Sequence, residues 1–178
     1  MNGTYAAVVR VLKGLETLAL WISAVCLVAM TAAITWQVFG RFVLDSSPSW
    51  TEPISLLLML YFILLAAAVG VRERFHLGLD LLRHVASPRV NRVLDTFSFS
   101  IVGAFGAAMV WFGGQLMIGT WGTRVPVLGT PEGLSHLPMV LSGVLIVLFS
   151  LEHLLVLAGF GDESEFGDHK PDLSEIAE

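Results

Sequence analysis

Charged residues are scarce in this chain of 178 residues. Asp, Glu, Lys and Arg make up 14% of it, against about a quarter in ordinary soluble domains. The scarcity excludes a solvated surface of normal extent, and the few charges cluster outside long apolar runs. Cys26 is the one cysteine, so no intrachain disulfide forms, and its place inside an apolar run makes it a small buried hydrophobe. The seven prolines fall at the ends of the apolar runs or beyond them, which leaves the runs intact as helices. Alternating segments of about ten residues are absent, which excludes a membrane β-barrel. The chain has no G-x-S-x-G, H-E-x-x-H or C-x-x-C and no phosphate-cradling glycine loop, so neither an enzyme site nor a cofactor is expected. Only His153 falls inside an apolar run, so a bis-histidine haem between two helices lacks its second ligand. No basic stripe remains for nucleic acid once the loops are assigned, and no internal repeat is present.

What remains is 55% hydrophobic, with a mean hydropathy of +0.76. Four apolar runs, about 15–39, 54–71, 93–121 and 138–160, match the length a helix needs to cross a hydrocarbon layer about 30 Å thick. The expectation is an all-α integral membrane protein of four transmembrane helices, one membrane domain over residues 1–160. Seven of the fifteen acidic residues fall within 162–178, so residues 161–178 read as a disordered acidic tail. The first run is too long for a cleaved signal and reads as a retained helix; residues 1–17 either extend it inward or lie at the interface. If the spans alternate, eight of the ten Lys and Arg residues share a side with both termini, while Arg41 and Arg124 lie opposite. That asymmetry predicts cytoplasmic termini.

The stretch from Gly40 to Leu82, GRFVLDSSPSWTEPISLLLMLYFILLAAAVGVRERFHLGLDLL, organises the rest. Arg41 ends the first span as a snorkelling anchor, and Glu52 lies across a short loop where the two can pair. Ser49 to Glu52 fits a capping box, with Thr51 the alternative cap. Ala66 and Gly70 offer a small-xxx-small face, either a helix contact or a plain alanine-rich stretch. The five arginines from Arg72 to Arg92 mark a connector lying along headgroups, and Ser87-Pro88 starts the third helix. That helix carries the best packing surface in the chain, with Gly103, Gly106 and Gly113, and Gln115 is its candidate for a bond across an interface. Thr130-Pro131 can open a helical turn. Glu152 and His153 fall inside the fourth run; a structural bond across the bundle is favoured over proton coupling or an interfacial position. Because adjacent residues project differently, one of the two can face the headgroups. Secondary transporters that act alone carry repeats and broken helices, and these spans have neither. The alternative from another class is a membrane anchor or assembly subunit of a redox complex.

Gly40-Arg41-Phe42, then Trp50-Thr51-Glu52, then Arg72 and Arg74, then His76 and Asp80 four positions apart, stand in an order that resembles the small membrane subunit of tripartite ATP-independent periplasmic (TRAP) transporters, the DctQ-like small permease family. The resemblance extends over about residues 15 to 160 and includes Leu137-Pro138-Met139. Pro53 stands where that family often has a second acidic residue. The resemblance implies a bacterial inner-membrane subunit of a sodium-coupled importer of organic acids. Its partners would be a periplasmic substrate-binding protein, a large multi-helix permease subunit and membrane lipids. The small subunit would scaffold the large one. Trp50 would anchor the outer interface, Arg41 and Glu52 would hold the corner between helices 1 and 2, and Arg72, Arg74 and His76 would meet headgroups.

Overall fold

The lengths of the apolar runs dictate helices, and the computed structural model places a helix on each of them. It describes residues 3–46, 48–73 and 88–157, with side chains from residue 8 and, after the connector, from residue 90. The helices are α1 (Gly3–Val43), α2 (Thr51–Arg72), α3 (Pro88–Gly119) and α4 (Leu137–Leu157), with a 3-10 turn at Glu132–Ser135. Among the described residues, these four helices are long and apolar enough to cross a membrane. The connector's place at the headgroups, the Ser87 cap and the tail from 161 lie outside the described residues.

α1 has 41 residues, about 60 Å at 1.5 Å per residue, and so outruns the expected span at both ends. Residues 3–17 therefore extend the helix. Val9 and Leu12, on the apolar stripe of that extension, are buried. At the other end Gly40 accepts backbone hydrogen bonds from the N–H groups of Leu44 and Ser46, with Asp45 in the left-handed region between them. A Cβ on Gly40 would sit 2.8 Å from the Ser46 carbonyl oxygen, so the turn requires glycine here.

α2 starts without the expected capping box. Trp50 is the N-cap residue, already near helical geometry, and no side chain caps the helix. The buried Thr51 hydroxyl donates instead to the Pro48 carbonyl at 2.8 Å. The Pro48–Trp50 turn thus leads the chain straight into the helix, and Glu52 points outward rather than back to Ser49. Pro53 is harmless in the first turn, where its missing N–H has no intrahelical partner to lose. The Thr130-Pro131 pair does open a turn, the 3-10 segment before α4. Arg124 steadies the loop ahead of it by donating to the Gly129 carbonyl at 2.8 Å.

Packing runs through neighbours in the spatial order α1, α2, α4, α3. α3 and α4 approach at paired glycines: a Cβ on Gly143 would lie 2.8 Å from the Gly106 carbonyl oxygen, and one on Gly106 would lie 3.0 Å from that of Gly143. Gly103 faces Ser150, and Gly113 faces Met139 and Val140. The small residues of α3 therefore serve contacts inside this chain. Gly70 has open space where a Cβ would stand, so the Ala66–Gly70 spacing on α2 is not a close helix contact within the chain. Ala68, Met109 and Ile146 form the apolar core between α2, α3 and α4. α4 is the most enclosed helix, while α1 rests on α2 and scarcely touches α4.

Candidate functional site

All four helices contribute to one buried cluster of charged and aromatic side chains. Arg72 is the last residue of α2 and is 6% exposed. Its Nε and Nη2 donate to the two carboxylate oxygens of Glu152 on α4, at 3.0 and 3.1 Å. Such a fork is the strongest geometry a guanidinium and a carboxylate can adopt. The remaining nitrogen, Nη1, donates to Glu16 of α1. Phe149, one turn before Glu152 on α4, lies with its ring centroid 5.6 Å from the guanidinium carbon.

His153 acts on the backbone of the same residue. Its Nε2 is 3.1 Å from the Arg72 carbonyl oxygen, and because a carbonyl can only accept, Nε2 carries the hydrogen. The last carbonyls of a helix have no partner within it, so His153 satisfies one that the end of α2 would otherwise leave open. The His153 ring stacks on Phe99 of α3, with centroids 4.3 Å apart and an interplanar angle of 20°. Adjacent residues of α4 thus grip two parts of one arginine, Glu152 by its head and His153 by its carbonyl. Neither faces headgroups: Glu152 is 4% exposed and His153 is fully buried.

Among the described residues, two carboxylates meet this one guanidinium. Glu16 keeps 14% of its side chain exposed, so its carboxylate retains some access to the outside of the bundle. Glu152 is enclosed and depends on Arg72 for compensation. The cluster can lock helices together. Groups of three or more His, Cys, Asp and Glu able to hold a metal ion do not occur among the described residues.

The structure brings Arg72 and Glu152 together and leaves the other described candidates, Arg41, Trp50, Glu52 and Gln115, apart from them. Arg72 turns into the bundle instead of out to headgroups, because the acids of α1 and α4 converge at the end of α2. Arg41 and Glu52 are both exposed and form no ion pair; main-chain hydrogen bonds to Gly40 close that corner. Trp50 is partly exposed at the start of α2. Gln115 is exposed on α3, and its side chain makes no hydrogen bond among the described residues. Arg74, His76 and Asp80 lie outside the described residues. Glu16 was not anticipated, although a lone acid between Leu15 and Leu18, on the same side as Arg72 if the spans alternate, was the available signal.

The family model for tripartite ATP-independent periplasmic transporters, DctQ component, matches residues 30–159. Arg72, Glu152 and His153 lie inside the matched range, and Glu16 lies before it. None of the curated proteins compared matches the chain. The match takes in α2, α3, α4 and the C-terminal part of α1, so the chain belongs to the DctQ family, the small permease subunits of TRAP transporters.

Proposed function

We propose that this subunit is a rigid scaffold for the large permease of a sodium-coupled tripartite importer of organic acids, fed by a periplasmic binding protein. The observation that carries this reading is the closed cluster at Arg72. The charges buried between the helices are committed to each other, and the contact they make is a lock. A subunit built this way gives a moving partner something fixed to work against. Residues 1–160 are one membrane domain of the bacterial inner membrane, with residues 161–178 a separate acidic tail. Both termini face the cytoplasm, because eight of the ten Lys and Arg residues then do so as well. On this orientation Trp50 anchors the outer interface, and the cluster lies at the cytoplasmic ends of the spans.

Co-expression with the large permease and purification in mild detergent tests the reading. The two should elute together, and sodium-driven uptake of organic acid in liposomes should need both membrane subunits and the binding protein. Uptake by the large permease and binding protein alone, at the full rate, would overturn the scaffold role.

A further inference from the structure

α1 and α4 both pack on α2 yet scarcely meet each other, so a groove runs between them with α2 as its floor. Its volume is about 340 Å³. Leu18 and Ile22 line one wall, Val144 and Leu148 the other, and Tyr61 and Leu65 the floor. Tyr61 is the one lining residue with a polar side-chain atom.

That phenol is out of place for a surface facing lipid. Tyr61 stands ten residues after the first residue of α2 and eleven before the last, about 15 Å of helix from either end. Its side chain is too short to bring the hydroxyl to either headgroup layer from there. Among the described residues the hydroxyl has no hydrogen-bonding partner. Other mid-span hydroxyls on α1 are satisfied internally, Thr31 by the Leu27 carbonyl and Thr35 by the Thr31 carbonyl, each at 2.8 Å. An acyl chain filling the groove would leave the phenol unsatisfied in hydrocarbon, which is unfavourable. A protein segment with an acceptor at that depth would satisfy it. The opposite face of α2 carries Leu56, Met59, Leu60 and Ile63, all exposed and apolar, and suits lipid without any such demand.

We propose that the groove between α1, α2 and α4 is the docking surface for a transmembrane helix of the large permease, which presents a hydrogen-bond acceptor to Tyr61 at mid-membrane. The proposal rests on the scaffold reading above and adds to it the face that binds and the chemistry of the contact. Ridge side chains of the incoming helix fill the space between Ile22 and Val144, and the phenol fixes its depth and register. Hydrogen bonds of this kind between membrane helices are modest, so packing supplies most of the affinity and Tyr61 most of the selectivity.

The test uses the full transporter in native membranes, with benzophenone probes placed singly at Ile22 and Val144 in the groove and at Met59 and Ile63 opposite. Crosslinks to the large permease are expected from the groove positions and not from the opposite ones. In parallel, Tyr61→Phe should weaken association with the large permease by about threefold to tenfold. The melting temperature of the isolated subunit should stay unchanged, since the hydroxyl has no hydrogen-bonding partner among the described residues. An intact complex that crosslinks only from Met59 and Ile63 would overturn the groove and leave the scaffold reading standing. Groove probes that capture only lipid or a second copy of this chain would also overturn it. If no large permease is recovered with the unsubstituted chain, the scaffold reading itself falls.

Discussion

Arg72 carries its charge at the end of an apolar helix, and a fork from Glu152 encloses it. Removing one partner of a buried pair leaves the other charge uncompensated, which typically costs about 3–5 kcal/mol. Glu152→Ala removes the fork but leaves Glu16 to balance Arg72, so it should lower the thermal stability of the detergent-solubilised subunit by less than that, about 1–3 kcal/mol. Combining it with Arg72→Met should recover much of the loss, because two apolar side chains replace the pair. Equal losses in the single and double variants would show that the fork is not what stabilises the bundle. Glu16→Gln should cost less, since that carboxylate is partly exposed and makes a single contact. The acid that alters stability most is thus the one farthest from Arg72 in sequence. Arg41 and Glu52 offer the contrast. They are near in sequence and were expected to pair, but the Gly40 turn is closed by main-chain bonds and both side chains face outward.

At the scale of helices, the contact between α3 and α4 depends on the absence of side chains. The Gly106 and Gly143 backbones approach so closely that a methyl group on either meets the other's carbonyl oxygen. Gly143→Ala should destabilise the solubilised subunit by about 1–3 kcal/mol through overpacking. Gly70→Ala, in open space on α2, should be neutral or stabilising, since glycine inside a helix costs about 0.5–1 kcal/mol relative to alanine. Parallel melting curves of the two variants decide the matter; similar gains in both would mean that helix propensity, not contact, governs these positions. The sequence showed that α3 was rich in small residues but not which helix they faced. Spacing gives the stripe, whereas the neighbour follows from the order in which four helices lie side by side.

Across the whole molecule, the four spans were legible because bilayer thickness sets helix length, and uncharged runs of that length have few other uses. The ends of α1 were less legible, since charges such as Arg10 and Lys13 end the hydropathy signal without ending the helix. The cluster at Arg72 was half legible: Glu152 stood out as an acid within a span, while its partners came from helices whose adjacency no local pattern reveals. A reporter fused within the Arg124 loop should be active only in the periplasm, and one at either terminus only in the cytoplasm. The reverse pattern would place the cluster at the wrong membrane surface.

Arg72 and Glu152 are also separated in time. They stand eighty positions apart, and at about 5–20 residues per second a ribosome needs about 4–16 seconds to make that interval. During the delay α2 can leave the translocon with only Glu16 to balance its terminal cation. The last helix therefore acts as a seal: until Glu152 arrives, the arginine has one carboxylate partner instead of two.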